Sequence, residues 1–498
     1  MTPHDLTYGD VLARNGLLYA ERTALRDTAR HCTHYEVLQR SRALALALAG
    51  HRVGPGDRLA LLSNNRAEVM ELLGAAALLG AIVVFLNIRS SPGEIAGIVA
   101  DIGPRLLVAE PEHEHLLQEI PVELPCYSLA MATARLRAWT EFAGTHASIS
   151  WPSVSASIPL IAIPTAAVDG RPRLALLSHR AIIAQAFQLA YTWQLGPADR
   201  HLCILPLFHM AGLGLAIAAQ IVGGASVIMP RFDPVEAVRL IDADRISFFA
   251  SFSPMLGAIL EAAVIPNQLA SLRAVTGLES PDVIQRFELL CRNARFWSGY
   301  GQTETGGLIT LAPAQERPGS SGRSLPLVAV RIEDAQGQRI APEQTGEILV
   351  RSPGVFDRYW NRPGETAHVA RGGWHHTGDL GRLDADGYLW FEGRSADKLL
   401  IKSGGENIYP AEVEQALLSH PAVAQAVVFG VADSRWGEAV RAVCVLAVDA
   451  TATADELTAH VGMLIARFKR PRDILFVDVL PLLADGSPDR QAIWRDYG

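Results

Sequence analysis

Over roughly its first 330 residues the chain alternates helical and strand patterns, and this alternation restricts the fold more than any other feature. Arg42 to Gly50 is rich in Ala and Leu and is expected to be helical. Arg58-Leu-Ala-Leu-Leu62 reads as a short apolar strand closed by Ser63-Asn64-Asn65. Glu68 to Gly80 returns to helix, while Ile82-Val-Val-Phe-Leu86 and Arg105-Leu-Leu-Val-Ala109 read as strands. Strands separated by helices need crossover connections, which puts them in largely parallel sheets covered by helices. Gly80-Ala81, Gly223-Gly224 and Gly372-Gly373 punctuate the pattern as turns.

The texture changes from Gly346 onward. Glu347-Ile-Leu-Val-Arg351 and Gly387-Tyr-Leu-Trp-Phe391 suggest a β-rich subregion. A charged, glycine-containing stretch runs from Gly393 to Pro410. Beyond it, Ala411 to Ser419 is expected to be helical, Ala424 to Phe429 and Ala442 to Leu446 alternate as strands, and Ala454 to Arg467 is helical. The expected fold class is α/β. A large N-terminal domain (1–394) of mixed and parallel sheets with flanking helices and a β-rich subregion precedes a small α+β C-terminal domain (395–498).

Bulk properties agree with this division. At 498 residues the chain exceeds what one ordinary core can organise. A hydrophobic content of 49% and a mean hydropathy of +0.17 fit a well-buried globular protein. The net charge of −8 argues against nucleic acid as a partner. The longest apolar run, Leu72 to Leu86, falls short of the about 20 residues a membrane span needs. It reads instead as a buried helix entering a strand. Cys32, Cys126, Cys203, Cys291 and Cys444 are scattered and odd in number, so neither a disulfide framework nor a zinc site is expected. Met1 to Thr7 lacks a basic start followed by an apolar run, so a cytoplasmic location is expected. Lysine is nearly absent: Lys398, Lys402 and Lys469 are the three in the chain, among 44 basic residues. Two of them lie together, which marks a place that wants an ammonium.

Several ordered motifs then carry a resemblance. They are Trp374-His-His-Thr-Gly-Asp-Leu380, Gly393-Arg-Ser-Ala-Asp-Lys398, Lys402-Ser-Gly-Gly-Glu-Asn-Ile-Tyr-Pro410 with Glu412-Val-Glu414, Gly299-Tyr-Gly-Gln-Thr-Glu304, and Pro206-Leu-Phe-His209 with Ala211-Gly212. Gly346-Glu347, Tyr359-Trp360-Asn361, Gly430-Val-Ala-Asp433 and Trp436-Gly-Glu438 add to them. Together these segments cover almost the whole chain. They resemble the adenylate-forming superfamily, in its acyl-CoA ligase branch.

The resemblance implies two half-reactions: a carboxylate attacks ATP to give acyl-AMP, and a pantetheine thiol then attacks the acyl-AMP. It also implies that the small domain is mobile and swings about a hinge, here Asp397. Gly404 and Gly405 would line the pantetheine tunnel, where only glycine lets a narrow chain pass close to the backbone. Lys402, Gly404, Gly405 and His209 are the catalytic candidates. His209 would gate the acyl pocket or orient the thiol, unless it is a satisfied core histidine. Tyr300, Gly301, Thr303, Asp379 and Arg394 are the adenylate-binding candidates. Asp379 would accept from ribose hydroxyls or serve as a turn residue. Arg394 would hold ribose or phosphate with its fork or form a hinge salt bridge. Tyr300 would stack on adenine and Thr303 would bond the α-phosphate, against the alternative of buried strand-end residues. Glu304 matches the family's magnesium ligand, although one carboxylate alone is little of a metal site.

The chain departs from the family at two places. The phosphate loop of the family reads approximately Thr-Ser-Gly-Ser/Thr-Thr-Gly-x-Pro-Lys-Gly. With Gly170, Pro172 and Ser178-His179 fixing the register, Thr165 is retained. Ala166, Ala167, Val168 and Asp169 replace the small and hydroxyl positions, Arg173 the lysine, and Leu174 the final glycine. A phosphate cradle uses bare backbone N–H groups, small hydroxyls and a lysine. Asp169 would set negative charge near the β- and γ-phosphates. Arg173 alone is explained by the arginine-rich composition. The second departure is Ser487, which replaces the family's adenylation lysine in Pro481-Leu-Leu-Ala-Asp-Gly-Ser487.

Both departures fall on adenylation, while the segment that the resemblance assigns to the thioester half, Asp397 to Pro410, is intact. The first reading is therefore a non-adenylating acyl-CoA ligase that transfers a preformed acyl group from AMP to CoA. It would use CoA and a hydrophobic carboxylate presented as its adenylate by a separate enzyme, with ATP and magnesium in question. The alternatives are a complete ATP-dependent ligase with an atypical ATP site, and a pseudoenzyme that binds acyl-nucleotide or CoA.

Overall fold

The computed structural model describes residues 6–138, 150–165, 172–394, 400–433, 436–483 and 488–498. Among the described residues two large sheets dominate. One is nine-stranded, and in it Thr23–Arg26, Ala225–Ile228, Arg200–Cys203, Phe248–Phe252, Ala274–Leu278 and Arg295–Gln302 run parallel. The other is seven-stranded, with Cys126–Ser128, Leu106–Ala109, Arg58–Leu62, Ile82–Phe85 and Pro159–Thr165 parallel. The hairpin strand Arg173–Ser178 returns antiparallel on Pro159–Thr165. The predicted α/β organisation is present.

Local sequence explains where the helices begin. The helix His34–Gly50 starts at Thr33, whose hydroxyl and the Glu36 carboxylate form a reciprocal capping box. The helix Pro92–Ile102 starts in the same way, with Ser91 and Glu94. Ala67–Leu79 is apolar on nearly every side and buried on nearly every side, as an all-round hydrophobic helix must be. It ends at Gly80 in a left-handed conformation and leads into Ile82–Phe85, so the Leu72–Leu86 run is a buried helix entering a strand. Among the described residues no helix is long and apolar enough to cross a membrane. All five cysteines are buried and free.

The β-rich subregion is a four-stranded antiparallel sheet of Ala329–Glu333, Gly346–Arg351, His375–Leu383 and Leu389–Arg394. Beyond it, Ile401–Ser403, Glu406–Ile408, Val423–Asp433, Gly437–Leu446 and Asp473–Phe476 form a separate sheet with its own apolar core. One expectation is corrected in this smaller domain. The helix predicted over Ala454 to Arg467 stops at Leu464, because Ile465 is extended and Arg467–Lys469 forms a 3-10 turn. Ile465 and Phe468 pack on the small core, and the break turns Lys469 inward rather than along the helix surface.

Candidate active site

The site lies beyond the carboxyl ends of the parallel strands, where open α/β sheets place their ligands. The segment after Ile82–Phe85 supplies Asn87 and Arg89. The segment after Arg200–Cys203 supplies His209, at the start of the helix Met210–Ile221. Phe252 ends its strand. Gly277, at φ +134°, passes so close to Phe248–Phe252 that a Cβ there would sit 1.8 Å from the Ser251 carbonyl oxygen.

The small domain reaches this rim with the hairpin Ile401–Ser403 and Glu406–Ile408. Its turn consists of Gly404 and Gly405, at φ +59° and +84°. Both take the left-handed backbone that favours glycine. A Cβ on Gly404 would sit 2.8 Å from the Trp436 ring, and one on Gly405 would sit 3.2 Å from Phe252. The next residue, Glu406, is buried against the large domain. Its carboxylate receives Arg89 Nη1 at 2.8 Å, Asn87 Nδ2 at 3.3 Å and His209 Nε2 at 3.4 Å. Burial pushes the Glu406 carboxyl up, but His209, Arg89 and Asn87 outweigh it and bring it down to about 2. His209 is thus a half-exposed partner of Glu406 at the domain boundary rather than a core histidine. Lys402 stands on the same hairpin with its side chain exposed and its backbone N–H donated to Glu438.

A second group gathers around Asp379, which is buried within the strand His375–Leu383. Its Oδ2 accepts from the Tyr300 hydroxyl at 2.6 Å and from Gln302 Nε2 at 2.5 Å. Burial and then the Asp379 charge push the Tyr300 hydroxyl well above its ordinary range. The Tyr300 ring stacks on Phe391 with centroids 6.0 Å apart. Arg394 lies with Nε 3.9 Å from Asp379 Oδ1 and donates to the Leu400 carbonyl at 2.9 Å. It joins the Asp379 group to the start of the small domain, as the salt-bridge alternative expects. Gly301 pairs so tightly with the neighbouring strand that a Cβ would sit 2.1 Å from the Gly307 carbonyl oxygen. Thr303 opens the turn that follows, and its carbonyl accepts from Gly306 N–H at 2.9 Å.

A third group lies at the Thr165 and Arg173 end of the hairpin formed by Pro159–Thr165 and Arg173–Ser178. Arg173 pairs with Glu365 at 2.5 Å, and its guanidinium lies over the Tyr359 ring, 5.2 Å from the centroid. Burial works against the Arg173 charge, but Tyr359 and Glu365 outweigh it and raise its pKa. The Tyr359 hydroxyl donates to Glu304 Oε1 at 2.8 Å. Glu304 therefore has one oxygen engaged and could offer the other to a cation. Magnesium would have to complete its oxygen shell with phosphates and water. Among the described residues, the one cluster of three metal-type donors is Glu110, Glu112 and His113, which does not include Glu304. Ala166, Ala167, Val168, Asp169, the hinge candidate Asp397 and Ser487 lie outside the described residues.

Sequence reasoning named Gly404 and Gly405 but passed over Glu406, the residue that joins the domains. It also missed Gln302, Tyr359, Asn87 and Arg89. Glu406, Gln302 and Tyr359 lie inside the quoted motifs, so their signal was present. Asn87 and Arg89 carry no local signal, because only the fold brings residues some 320 positions apart together.

The model for AMP-binding enzymes matches residues 12–360, and the model for the AMP-binding enzyme C-terminal domain matches residues 412–486. The chain belongs to the AMP-binding enzyme family. Within that family it stands with the acyl-CoA ligases. It is 34% identical over 490 residues to an indoleacetate–CoA ligase of Aromatoleum aromaticum, with 95% of each chain covered. Two structures of o-succinylbenzoate CoA synthetase from Bacillus subtilis are each 30% identical to it, with 97% of both chains covered. A double mutant bound with the product analogue OSB-NCoA superposes with a TM-score of 0.86. The complex with the acyl-adenylate OSB-AMP superposes with a TM-score of 0.70.

Proposed function

We propose that this acyl-CoA ligase relative performs the thioester-forming half-reaction alone, taking a preformed acyl-AMP and CoA to acyl-CoA and AMP. The observation that carries the reading is the state of Arg173. At the position of the family's phosphate-loop lysine, its charge is paired with Glu365 and stacked on Tyr359. The sequence around it agrees: the loop has lost its glycine and hydroxyl pattern, and Ser487 holds no positive charge. Loss of one preorganised charge-stabilising donor costs about 10²–10³ in rate, and two losses on the same step compound, though not additively.

The thioester side supports the same reading. The acyl-AMP anhydride is already activated, so the protein must position the thiol and manage its proton. With Nε2–H donated to Glu406, His209 carries its lone pair on Nδ1 and can receive the thiol proton. The thiolate sulfur then bonds the acyl carbon, the bond from that carbon to the phosphate oxygen breaks, and AMP leaves. Asp379 and Tyr300 hold the nucleotide end, with Asp379 accepting from the ribose hydroxyls and Arg394 supplying positive charge. The better superposition on the OSB-NCoA complex than on the OSB-AMP complex supports an arrangement suited to this step. The acyl group is a hydrophobic carboxylate, made as its adenylate by a separate enzyme. The indoleacetate–CoA ligase and the o-succinylbenzoate CoA synthetase are named for aromatic acids, which makes aryl adenylates the first probes.

The complete ATP-dependent ligase is the second reading, favoured by the relatives' names and by the retained Thr303 and Glu304. The test supplies synthetic indoleacetyl-AMP, succinylbenzoyl-AMP or a medium-chain fatty acyl-AMP with CoA. Acyl-CoA and AMP are expected in equal amounts; absence of product with every adenylate defeats the proposal.

A further inference from the structure

A second contact between the domains lies away from the reacting groups and uses the third lysine of the chain. Lys469 Nζ is buried between two carboxylates, bonding Glu412 Oε1 at 2.6 Å within the small domain and Glu94 Oε1 of the large domain. Glu94 is fixed before the lysine arrives. It is the third residue of the helix Pro92–Ile102, and its other oxygen accepts the Ser91 backbone N–H at 2.6 Å as half of the capping box. Ser91 also bonds the small domain, through Oγ to the Leu464 carbonyl at 3.3 Å. The short strip from Asn87 to Glu94 therefore holds the small domain at two ends: Asn87 and Arg89 on Glu406, and Ser91 and Glu94 on the Leu464–Lys469 turn.

Two features set Lys469 apart from an incidental surface pair. The chain uses arginine almost everywhere, yet here it keeps a lysine. An ammonium is a compact point charge that can serve two carboxylates in a closed space, whereas a guanidinium is a wide planar fork. The contact can also break without stranding a charge. If the small domain rotates away, Lys469 keeps Glu412 and Glu94 keeps its helix cap. Breaking a buried pair by deleting one partner is costly because the other charge stays buried, but here each half keeps a partner when the domains part.

We propose that Lys469 is a positioning residue: with Glu94 and Glu412 it forms a reversible latch that holds the Gly404–Gly405 turn and Glu406 at the acyl site during thioester formation. This rests on the proposed thioester reaction for its purpose but not for its test. Introduced cysteines at Val122→Cys and Val448→Cys, whose native side chains are 79% and 92% exposed, give one dye site per domain, since the native cysteines are all buried. Single-molecule energy transfer then reports the ratio of docked to undocked small domain in the full chain. Lys469→Met and Glu94→Gln alter opposite sides of the contact. Each is expected to lower the docked-to-undocked ratio at least tenfold. The acyl-AMP plus CoA rate should fall in parallel, while acyl-AMP affinity stays within twofold. An unchanged ratio in both correctly folded variants overturns the latch, even if their activity falls. A shifted ratio in a protein that makes no thioester supports the latch and defeats the proposed reaction instead.

Discussion

The two sides of the acyl site are built to different standards. On the thioester side, Glu406 enters a pocket made by Asn87, Arg89 and His209, and two left-handed glycines bring the small domain against Phe252. The buried Glu406 charge there meets its partners across the domain boundary. On the phosphate side, Arg173 is drawn to Glu365 and Tyr359, and Glu304 takes the Tyr359 hydroxyl. The charges there satisfy one another within the large domain. A site that spends its cation on a local carboxylate has less to offer a triphosphate than one that keeps it unpaired. The contrast is between a charge that meets its partners across the domain boundary and charges that meet within one domain.

Removing Glu406 attacks the better-built side and should have the largest effect. Glu406→Ala leaves Arg89 and His209 facing each other across a gap. Hydrogen bonds to charged groups are worth about 1.5–3 kcal/mol each, and the half-exposed Arg89 and His209 can rehydrate, so the acyl-AMP plus CoA rate should fall about 10²-fold, with AMP binding retained. Stopped-flow turnover beside AMP titration checks this. Gly405→Val should follow, because a β-branched residue at positive φ costs about 1–3 kcal/mol and its side chain meets Phe252; a loss of about ten- to a hundredfold in the same assay is expected.

A pH series sharpens the comparison at the latch. Burial, together with the facing Glu94, pushes the Glu412 carboxyl up to about 7 against the pull of Lys469. A folded value raised above the ordinary carboxyl one means the contribution to folded stability is fully present below the ordinary carboxyl range and is lost as pH rises through about 7. Burial pushes the Glu94 carboxyl up, but Lys469 and Ser91 outweigh it and hold it low, so Glu94 adds no slope above the ordinary carboxyl range. Stability to denaturant should therefore decline between about pH 5 and 7, and Glu412→Gln should flatten the curve. The smallest effect belongs to the phosphate side. Glu365→Ala breaks a partly exposed pair, so it should cost under about 1 kcal/mol in denaturant unfolding and leave the thioester rate unchanged.

Much of the fold was legible because its signals are local. The Leu72–Leu86 run announces a buried helix followed by a strand, whereas the capping boxes of Thr33 with Glu36 and Ser91 with Glu94 were passed over, so the helix read from Arg42 in fact starts eight residues earlier, at His34. The end of the helix at Leu464 was not legible, since Ile465 and Phe468 are apolar enough to continue the pattern and only packing on the small core decides where they turn. The site divides in the same way. Gly404, Gly405, Asp379 and Tyr300 lie in motifs whose spacing carries meaning. Arg173 was visible only as a retained positive charge; its commitment to Glu365 depends on a helix about 190 residues later in the chain. Lys469 stood out by rarity alone, and its two carboxylates come from separate domains.

The most direct measurement compares two reactions of the same protein sample. In one, ATP, carboxylic acid and labelled pyrophosphate report adenylation by isotope exchange; in the other, the corresponding acyl-AMP and CoA report thioester formation. The account predicts acyl-CoA from the adenylate and exchange no faster than the protein-free control. Exchange at a rate matching thioester formation would contradict it and make the chain a complete ligase.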